Sequence, residues 1–300
     1  MLFEGRVMSG LGGLYEVRIA DGDGERCIAC RGRGNLRRDD EKLLVGDLCL
    51  VREEGDGAVI EKILPRRTSL IRPPLANLDY LFIVTAASHP DPSYETLDKL
   101  TAIAVHNGIT PAVIVTKADI DSDAADELAT IYRSAGFPVF VLSPSLEAAS
   151  LSAYIAENVR DGRCAAFAGA SGVGKSTLLN RLFPSLSLAT GAISQKIARG
   201  RHTTRSVQLF LTPEGGFLAD TPGFSMLDFL RFDFFSLEDL PATFPELLPT
   251  LAGCRYADCT HTKEEECGVT TAVREGRIAQ SRHASYCALY KILKEKKNKY

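Results

Sequence analysis

The sequence predicts a multidomain α/β protein: an OB-type β-barrel over residues 1–67, an α/β domain over 68–230 and a mainly α-helical C-terminal domain over 231–300. Three observations predict it. Short β-rich runs alternate with turn signals up to Ile63. Strand-like and helix-like segments then alternate around the glycine-rich stretch Gly169–Thr177. Three cysteines and one histidine gather near the C-terminus, a pattern suited to a closed metal site.

In the first region Gly13–Ile19, Arg26–Cys30, Asp47–Arg52 and Ala58–Ile63 have strand composition. Asp21-Gly22-Asp23-Gly24 and Glu54-Gly55-Asp56-Gly57 read as hairpin loops. Five or so short strands in this length suggest a small barrel of the OB type, a fold that commonly binds RNA or single-stranded nucleic acid. Arg31, Arg33, Arg37 and Arg38 crowd one loop, as phosphate contacts require, although Asp39, Asp40 and Glu41 dilute the charge. Cys27 and Cys30 have no second pair near them and read as packing residues. The polar, basic, proline-bearing stretch from Pro65 to Pro74 reads as a linker.

Beyond it, Tyr80–Thr85 is an apolar run of buried-strand type, and Tyr94–Asn107 has helical spacing with Leu97, Leu100 and Val105 on a common side. Pro111–Thr116 reads as a strand, Asp123–Ala135 as a helix and Pro138–Leu142 as a strand. This alternation indicates a parallel α/β sheet.

Gly169-Ala170-Ser171-Gly172-Val173-Gly174-Lys175-Ser176-Thr177 matches G-x-x-x-x-G-K-[ST] at every fixed position. It follows the apolar run Cys164–Ala168 and opens a helix, the context a phosphate-binding loop needs. Its glycines let successive N–H groups and a helix N-terminus face an anion. Lys175 then holds the β- and γ-phosphates, and the Ser176 hydroxyl is offered to Mg²⁺.

Thr116-Lys117-Ala118-Asp119 resembles the [NT]-K-x-D element that selects guanine. The Asp119 carboxylate can accept from the guanine N1–H and exocyclic amino group together, which adenine cannot match and which argues against an ATPase. Ser143, in Val141-Leu142-Ser143-Pro144, stands where a loop backing the base belongs. Downstream, Gly200-Arg201-His202-Thr203-Thr204-Arg205 lies in a polar stretch placed as a switch loop, and Thr204 is a candidate Mg²⁺ ligand. Phe217–Gly223 ends in D-x-x-G, so Asp220 is the carboxylate that holds Mg²⁺ and Gly223 lets the backbone reach the γ-phosphate. In the common order the guanine element follows D-x-x-G; here it precedes the phosphate loop. The α/β domain therefore reads as a circularly permuted P-loop GTPase domain, since permutation preserves a spatial site when domain termini lie close together.

Cys254-x4-Cys259-x-His261-x5-Cys267 supplies the three thiols and one imidazole of a closed tetrahedral site, which predicts one structural zinc ion. His283 and Cys287 lie in a helical stretch and read as non-ligands. From Tyr286 to Tyr300 helical spacing runs into Lys291, Lys294, Lys296, Lys297 and Lys299, which reads as a solvated helix end, with ribosomal RNA contact as the sharper alternative.

Composition frames these motifs. The chain has 300 residues, 45% hydrophobic and 24% charged, as in ordinary globular proteins. A formal net charge of −3 gives no global nucleic-acid signal, so any RNA contact must be local. No run of about eighteen apolar residues argues for a membrane span, and the N-terminus lacks the apolar core of a secretory signal. A cytoplasmic, monomeric protein is expected, and in that compartment eight cysteines read as free thiols or metal ligands.

Taken together, the OB-like N-terminus, the guanine element ahead of the phosphate loop, Gly-Arg-His-Thr-Thr, Asp-Thr-Pro-Gly-Phe and Cys-x4-Cys-x-His-x5-Cys resemble the ribosome-small-subunit-dependent, circularly permuted GTPases of bacteria. The resemblance covers nearly the whole chain. It implies GTP and GDP binding, subunit-stimulated hydrolysis, contact with the small ribosomal subunit and its rRNA, and a role late in subunit maturation. It carries nucleotide contacts onto Thr116, Lys117, Ala118, Asp119 and Gly169–Thr177, and zinc onto Cys254, Cys259, His261 and Cys267. Two positions depart from the family pattern: Arg205, where many relatives continue the threonine run, and the Ser143-Pro144 loop.

A mechanism follows from the residues. Lys175 and Mg²⁺ neutralise the phosphates while an oriented water attacks in line. Phe224 stands where Ras-like enzymes carry a water-positioning glutamine, so His202 is expected to take that role once the ribosome orders its loop. The competing reading is an RNA-binding assembly module whose nucleotide site mainly sets affinity.

Overall fold

The computed structural model describes residues 2–22, 24–32, 42–55, 57–143, 148–184, 207–220 and 228–298, with the backbone alone at Asp220. Five strands come first: β1 (Leu2–Leu11), β2 (Leu14–Asp21), β3 (Gly24–Gly32), β4 (Leu48–Glu54) and β5 (Gly57–Ile63). A short pair, β6 (Ser69–Leu70) and β7 (Leu75–Ala76), leads to β8 (Tyr80–Ala86), α1 (Tyr94–His106), β9 (Thr110–Thr116) and α2 (Ser122–Ser134). Next come β10 (Val139–Val141), α3 (Ala149–Asn158), β11 (Cys164–Ala168), α4 (Lys175–Leu182), β12 (Gln208–Leu211) and β13 (Phe217–Asp220). Two 3-10 segments, Leu240–Thr243 and Pro245–Gly253, precede α5 (Gly268–Arg274) and α6 (Gln280–Lys297).

The chain divides into two compact units. One comprises Met1–Tyr80, Tyr154–Phe167 and Leu179–Gly223; the other comprises Leu81–Ala153, Ala168–Leu178 and Phe224–Tyr300.

In the first unit, β1 pairs antiparallel with β2 and β4, β2 with β3, and β4 with β5, while β3 runs parallel to β5. The ring closes, giving the five-stranded OB-type barrel. Alternation along each strand sends Val7, Val17, Ile19, Cys30, Cys49, Val51 and Ile60 into one core. The hairpins at Asp21↔Gly24 and Glu54↔Gly57 fall where the turn residues place them. β1 escapes the sequence reading because Gly5, Arg6 and Gly10 interrupt its pattern. Gly5 is needed: a Cβ there would stand 2.6 Å from Val17 Cγ1, so the strands approach too closely for a side chain.

Two expectations are corrected here. Cys27 is exposed whereas Cys30 is buried, because residues three apart on a strand face opposite sides; only Cys30 packs. The expected linker after Pro65 is a packed strap. Arg66 forks onto Asp47 (Nε to Oδ1 2.6 Å, Nη2 to Oδ2 2.9 Å), whose side chain has no exposure. Leu70 is buried in the β6–β7 pair, and Arg67 reaches Asp79 at 2.8 Å. Arg66 and Arg67 serve intramolecular ion pairs, which composition alone does not reveal. Elsewhere in the unit β13 runs parallel to β11 and antiparallel to β12. The barrel arginines Arg18, Arg26 and Arg52 are each paired with acids: Glu25; Asp21 and Glu53; Glu54 and Glu61.

In the second unit β9 and β10 run parallel. α1 is capped by Ser93, whose hydroxyl accepts from Thr96 N at 3.3 Å, and α2 by Asp121, which accepts from Ala124 N at 3.0 Å. Leu97 and Leu100 are buried on α1, but Ile103 and Ala104 continue the stripe and Val105 is only half-buried, as a 3.6-residue period requires. α6 begins at Gln280 and takes in both the helical stretch of His283 and Cys287 and the lysine-rich end. Its lysines are not all solvated: Lys296 Nζ donates to the carbonyls of Phe229 (3.1 Å) and Phe232 (2.9 Å), whereas Lys297 stays exposed and pairs with Glu238. Among the described residues no helix is long and apolar enough to cross a membrane.

Candidate functional site

β11 is buried at every residue, which delivers Gly169 into the interior. Gly169 has φ +141°, and a Cβ on it would lie 2.1 Å from the Val84 carbonyl oxygen, so only glycine fits. The loop then turns through Gly172 (φ +80°) and Gly174 (φ +95°) into α4, where Leu178 N donates to Gly174 O at 2.9 Å. Lys175 opens the helix, and its Nζ donates to the carbonyls of Gly169 (2.7 Å) and Ala170 (2.6 Å). Partial burial lowers the pKa of that ammonium. Ser171, Ser176 and Thr177 are exposed, Ala170 is half-buried, and Val173 is buried beneath the loop. The geometry is that of an anion-binding nest at a helix N-terminus.

Thr116-Lys117-Ala118-Asp119 starts on the last residue of β9 and grips this loop. The Thr116 hydroxyl lies 2.6 Å from the Val173 carbonyl and 3.1 Å from that of Thr85. Lys117 adopts φ +58°, and its Nζ donates to Gly172 O at 3.0 Å and to His89 O. Ala118 N donates to Leu142 O at 3.2 Å, which brings the β10 loop and buried Ser143 beside the element. Asp119 is exposed at its end. Two motifs apart in sequence are thus hydrogen-bonded in space. The sequence reading missed Thr85 and His89, whose contributions are carbonyls that no side-chain pattern reveals.

The backbone of Asp220 pairs with Gln208 at the end of β13. His202, Thr204, Arg205, Gly223 and Phe224, with Arg33, Arg37, Arg38, Pro144 and Lys299, lie outside the described residues.

The second cluster is also assembled as the spacing demands. One ligand atom from each of Cys254, Cys259, His261 and Cys267 lies within 4.8 Å of all the others. Cys254 Sγ is 3.5 Å from His261 Nδ1 and 3.8 Å from Cys267 Sγ, and Cys267 Sγ is 3.6 Å from the same nitrogen. A tetrahedron with metal–sulfur bonds of about 2.3 Å and a metal–nitrogen bond of about 2.1 Å sets its ligands roughly 3.6–3.8 Å apart. The four residues therefore fit a metal ion. Burial lowers the pKa of His261, which favours the neutral imidazole that a ligand needs. Burial opposes a Cys267 thiolate, but N–H groups of Thr270 and Val269 at the start of α5 lower its pKa.

Glu264 organises the loop between the ligands. Its carboxylate accepts from the N–H groups of Thr260 (3.0 Å), Thr262 (3.0 Å) and Lys263 (3.1 Å). Its partial burial acts upward, yet these bonds and the Thr260 hydroxyl hold its pKa down to about 2 against an ordinary 4.5. The stabilisation is complete above the unfolded value and is lost as pH falls toward the folded one. α6 backs the same loop: His283 Nε2 donates to His261 O (2.7 Å), Tyr286 OH to Thr260 O (3.1 Å) and Cys287 Sγ to Thr262 O (3.9 Å). His283 and Cys287 support the ligand loop from outside the four-residue set, in keeping with their reading as non-ligands.

The RsgA GTPase family model matches residues 63–230, and the RsgA N-terminal domain model matches residues 4–60. The chain belongs to the RsgA GTPase family. Its members are GTP hydrolases. A protein of Moorella thermoacetica named small ribosomal subunit biogenesis GTPase RsgA is 40% identical over 286 residues, covering 94% of each chain. One of the same name from Bacillus subtilis is 38% identical over 304 residues, covering 99% of both. Among solved structures, YloQ, described as a circularly permuted GTPase, matches with TM-score 0.77 and 34% identity over 100% of this chain and 96% of its own. YjeQ from Thermotoga maritima matches with TM-score 0.79 and 30% identity over 98% and 99%. The resemblance read from the motifs, to the ribosome-small-subunit-dependent, circularly permuted GTPases, is borne out, as is the fold class: barrel, permuted GTPase and helical C-terminal part with a Cys₃His cluster.

Proposed function

We propose that this chain binds GTP and GDP, hydrolyses GTP in a small-subunit-stimulated manner, and acts in late maturation of the small ribosomal subunit through contact with its rRNA. The observation that carries the nucleotide part is the 2.6 Å contact of Thr116 Oγ1 with the Val173 carbonyl, which joins elements separated by 57 residues. The subunit part is supported by relatives named small ribosomal subunit biogenesis GTPases. The proposed division is 1–67, 68–230 and 231–300, with family-model edges near 60 and 230 supporting the first two parts. The protein is read as cytoplasmic and monomeric.

In this reading Thr116, Lys117, Ala118 and Asp119 hold the base side, and Gly169, Ala170, Ser171, Gly172, Val173, Gly174, Lys175, Ser176 and Thr177 cradle the phosphates. Asp220 and Gly223 serve the γ-phosphate side. Ser176, Thr204 and Asp220 would hold Mg²⁺, which supplies charge neutralisation when bound. Lys175 stabilises charge developing on the phosphates, and His202 orients the attacking water. Cys254, Cys259, His261 and Cys267 would hold one structural zinc ion.

Single-turnover hydrolysis of GTP, measured with and without purified small subunits, tests this. Stimulation of at least about tenfold, abolished by Lys175→Ala, is expected, since phosphoryl-transfer sites gain orders of magnitude when a missing group is ordered. Binding to subunits without stimulation would favour an RNA-binding module whose nucleotide site only sets affinity.

A further inference from the structure

The turn between β8 and α1 belongs to no nucleotide motif, yet it is fastened to two of them. Ala87 N donates to the Thr116 carbonyl at 2.9 Å, which registers the start of the turn on the guanine element. A Cβ at Gly172 would stand 3.8 Å from Pro90 Cδ, so Pro90 packs against the phosphate loop. Between them His89 takes φ +50°, its ring held by Ser88 (Oγ to Nδ1 2.7 Å), and its carbonyl accepts from Lys117 Nζ. The same ammonium donates to Gly172 O at 3.0 Å.

We propose that the Ser88–Pro90 turn is a positioning element of the nucleotide site, its His89 carbonyl fixing the Lys117 ammonium against the phosphate loop. The proposal rests on the reading of this site as a guanine-nucleotide site. An ammonium has three donors, and two are committed to carbonyls from separate segments. Lys117 therefore rivets residues 88–90, 116–119 and 169–177 into one arrangement. A site already ordered in this way loses less freedom on binding, and the gain appears as slow release. What matters at position 89 is the left-handed backbone that sets the carbonyl, not the imidazole. Histidine and asparagine tolerate that conformation, whereas β-branched residues resist it.

The test is release of fluorescently labelled GDP from the full-length protein, by stopped flow, with equilibrium affinity used where release is too fast to time. His89→Val is expected to speed release about tenfold, the scale of one charge-assisted hydrogen bond. His89→Asn should restore release to within about twofold of the wild type, because it keeps the left-handed turn. In a Lys117→Met background, His89→Val should add less than about twofold, since the pair is already broken. If the valine variant does not fold, His89→Ala should show the same direction at about threefold and the same loss of effect with Lys117→Met. Unchanged release in the folded His89 variants, or an undiminished effect in the Lys117→Met background, overturns the proposal alone. Failure of the wild type to retain labelled GDP overturns the guanine reading together with it.

Discussion

Replacing Arg282 with methionine is expected to destabilise the protein by about 3–5 kcal/mol, the range found when one partner of a buried ion pair is removed. The Arg282 side chain is 1% exposed and lies between two buried carboxylates. Its Nη1 donates to Asp98 Oδ1 at 2.7 Å and to Thr101 Oγ1 at 3.1 Å, while Nε and Nη2 fork onto Glu246 at 2.6 and 3.2 Å. Tyr132 OH donates to the same Asp98 oxygen at 2.8 Å, and the guanidinium stacks 4.5 Å from the Phe244 ring centre. Burial drives the Asp98 carboxyl pKa upward, and Arg282 pulls it back. Methionine fills the volume but leaves Asp98 and Glu246 buried without a cation. Adding Asp98→Asn and Glu246→Gln to Arg282→Met should recover part of the loss, because neutral groups cost less to bury. Urea denaturation measures both. A loss below about 1 kcal/mol for the single variant would show that the network contributes little.

Removing a metal held by Cys254, Cys259, His261 and Cys267, as proposed, is expected to have the second large effect. Chelation or Cys267→Ser should cost at least about 4 kcal/mol, a fraction of the roughly 10–16 kcal/mol associated with structural zinc in isolated fingers. The fraction is smaller here because Glu264, His283 and Tyr286 hold the ligand loop as well. Hydrogen exchange should rise first between Cys254 and Cys267 and then in α5, which begins directly after the last ligand. Cys287→Ser, outside the ligand set, should leave bound zinc at one equivalent. A chelated protein with unaltered thermal midpoint and exchange would mean that the four residues hold their loop without a metal.

These two sites differ in how legible they were. Cys254 to Cys267, Gly169 to Thr177 and Thr116 to Asp119 could be read because coordination and phosphate binding dictate residue types at short, fixed spacings. Arg282 could not, since its carboxylate partners lie 36 and 184 residues away and nothing marks it among the basic residues of its helix. Lys296 reads in sequence as a solvated charge, yet it caps two distant carbonyls, and Arg66 reads as part of a linker, yet it pairs with buried Asp47. The barrel was legible from its hairpin turns, but β1 was hidden by glycines whose reason is contact with a neighbouring strand. In each case the unread part is a long-range pairing, and the read part is local chemistry.

The buried ion network also connects elements of the second unit. Arg282 ties α6 to α1, while the adjacent His283 and Tyr286 back the metal-ligand loop. α1 in turn follows the Ser88–Pro90 turn that holds Lys117. The Cys254–Cys267 loop and the turn that precedes α1 are thus linked through α6 and α1.

The most direct measurement of the central claim, that the guanine element and the phosphate loop form one guanine-nucleotide site, is competition for labelled GDP by GTP, ATP and XTP in the wild type and in Asp119→Asn. The account predicts displacement by GTP at concentrations at least about a hundredfold below ATP, because adenine leaves the carboxylate of Asp119 unpaired. Asp119→Asn should shift preference from GTP toward XTP, whose ring carbonyl can accept from the amide. Equal displacement by ATP and GTP, or an Asp119→Asn variant with unchanged preference, would contradict it.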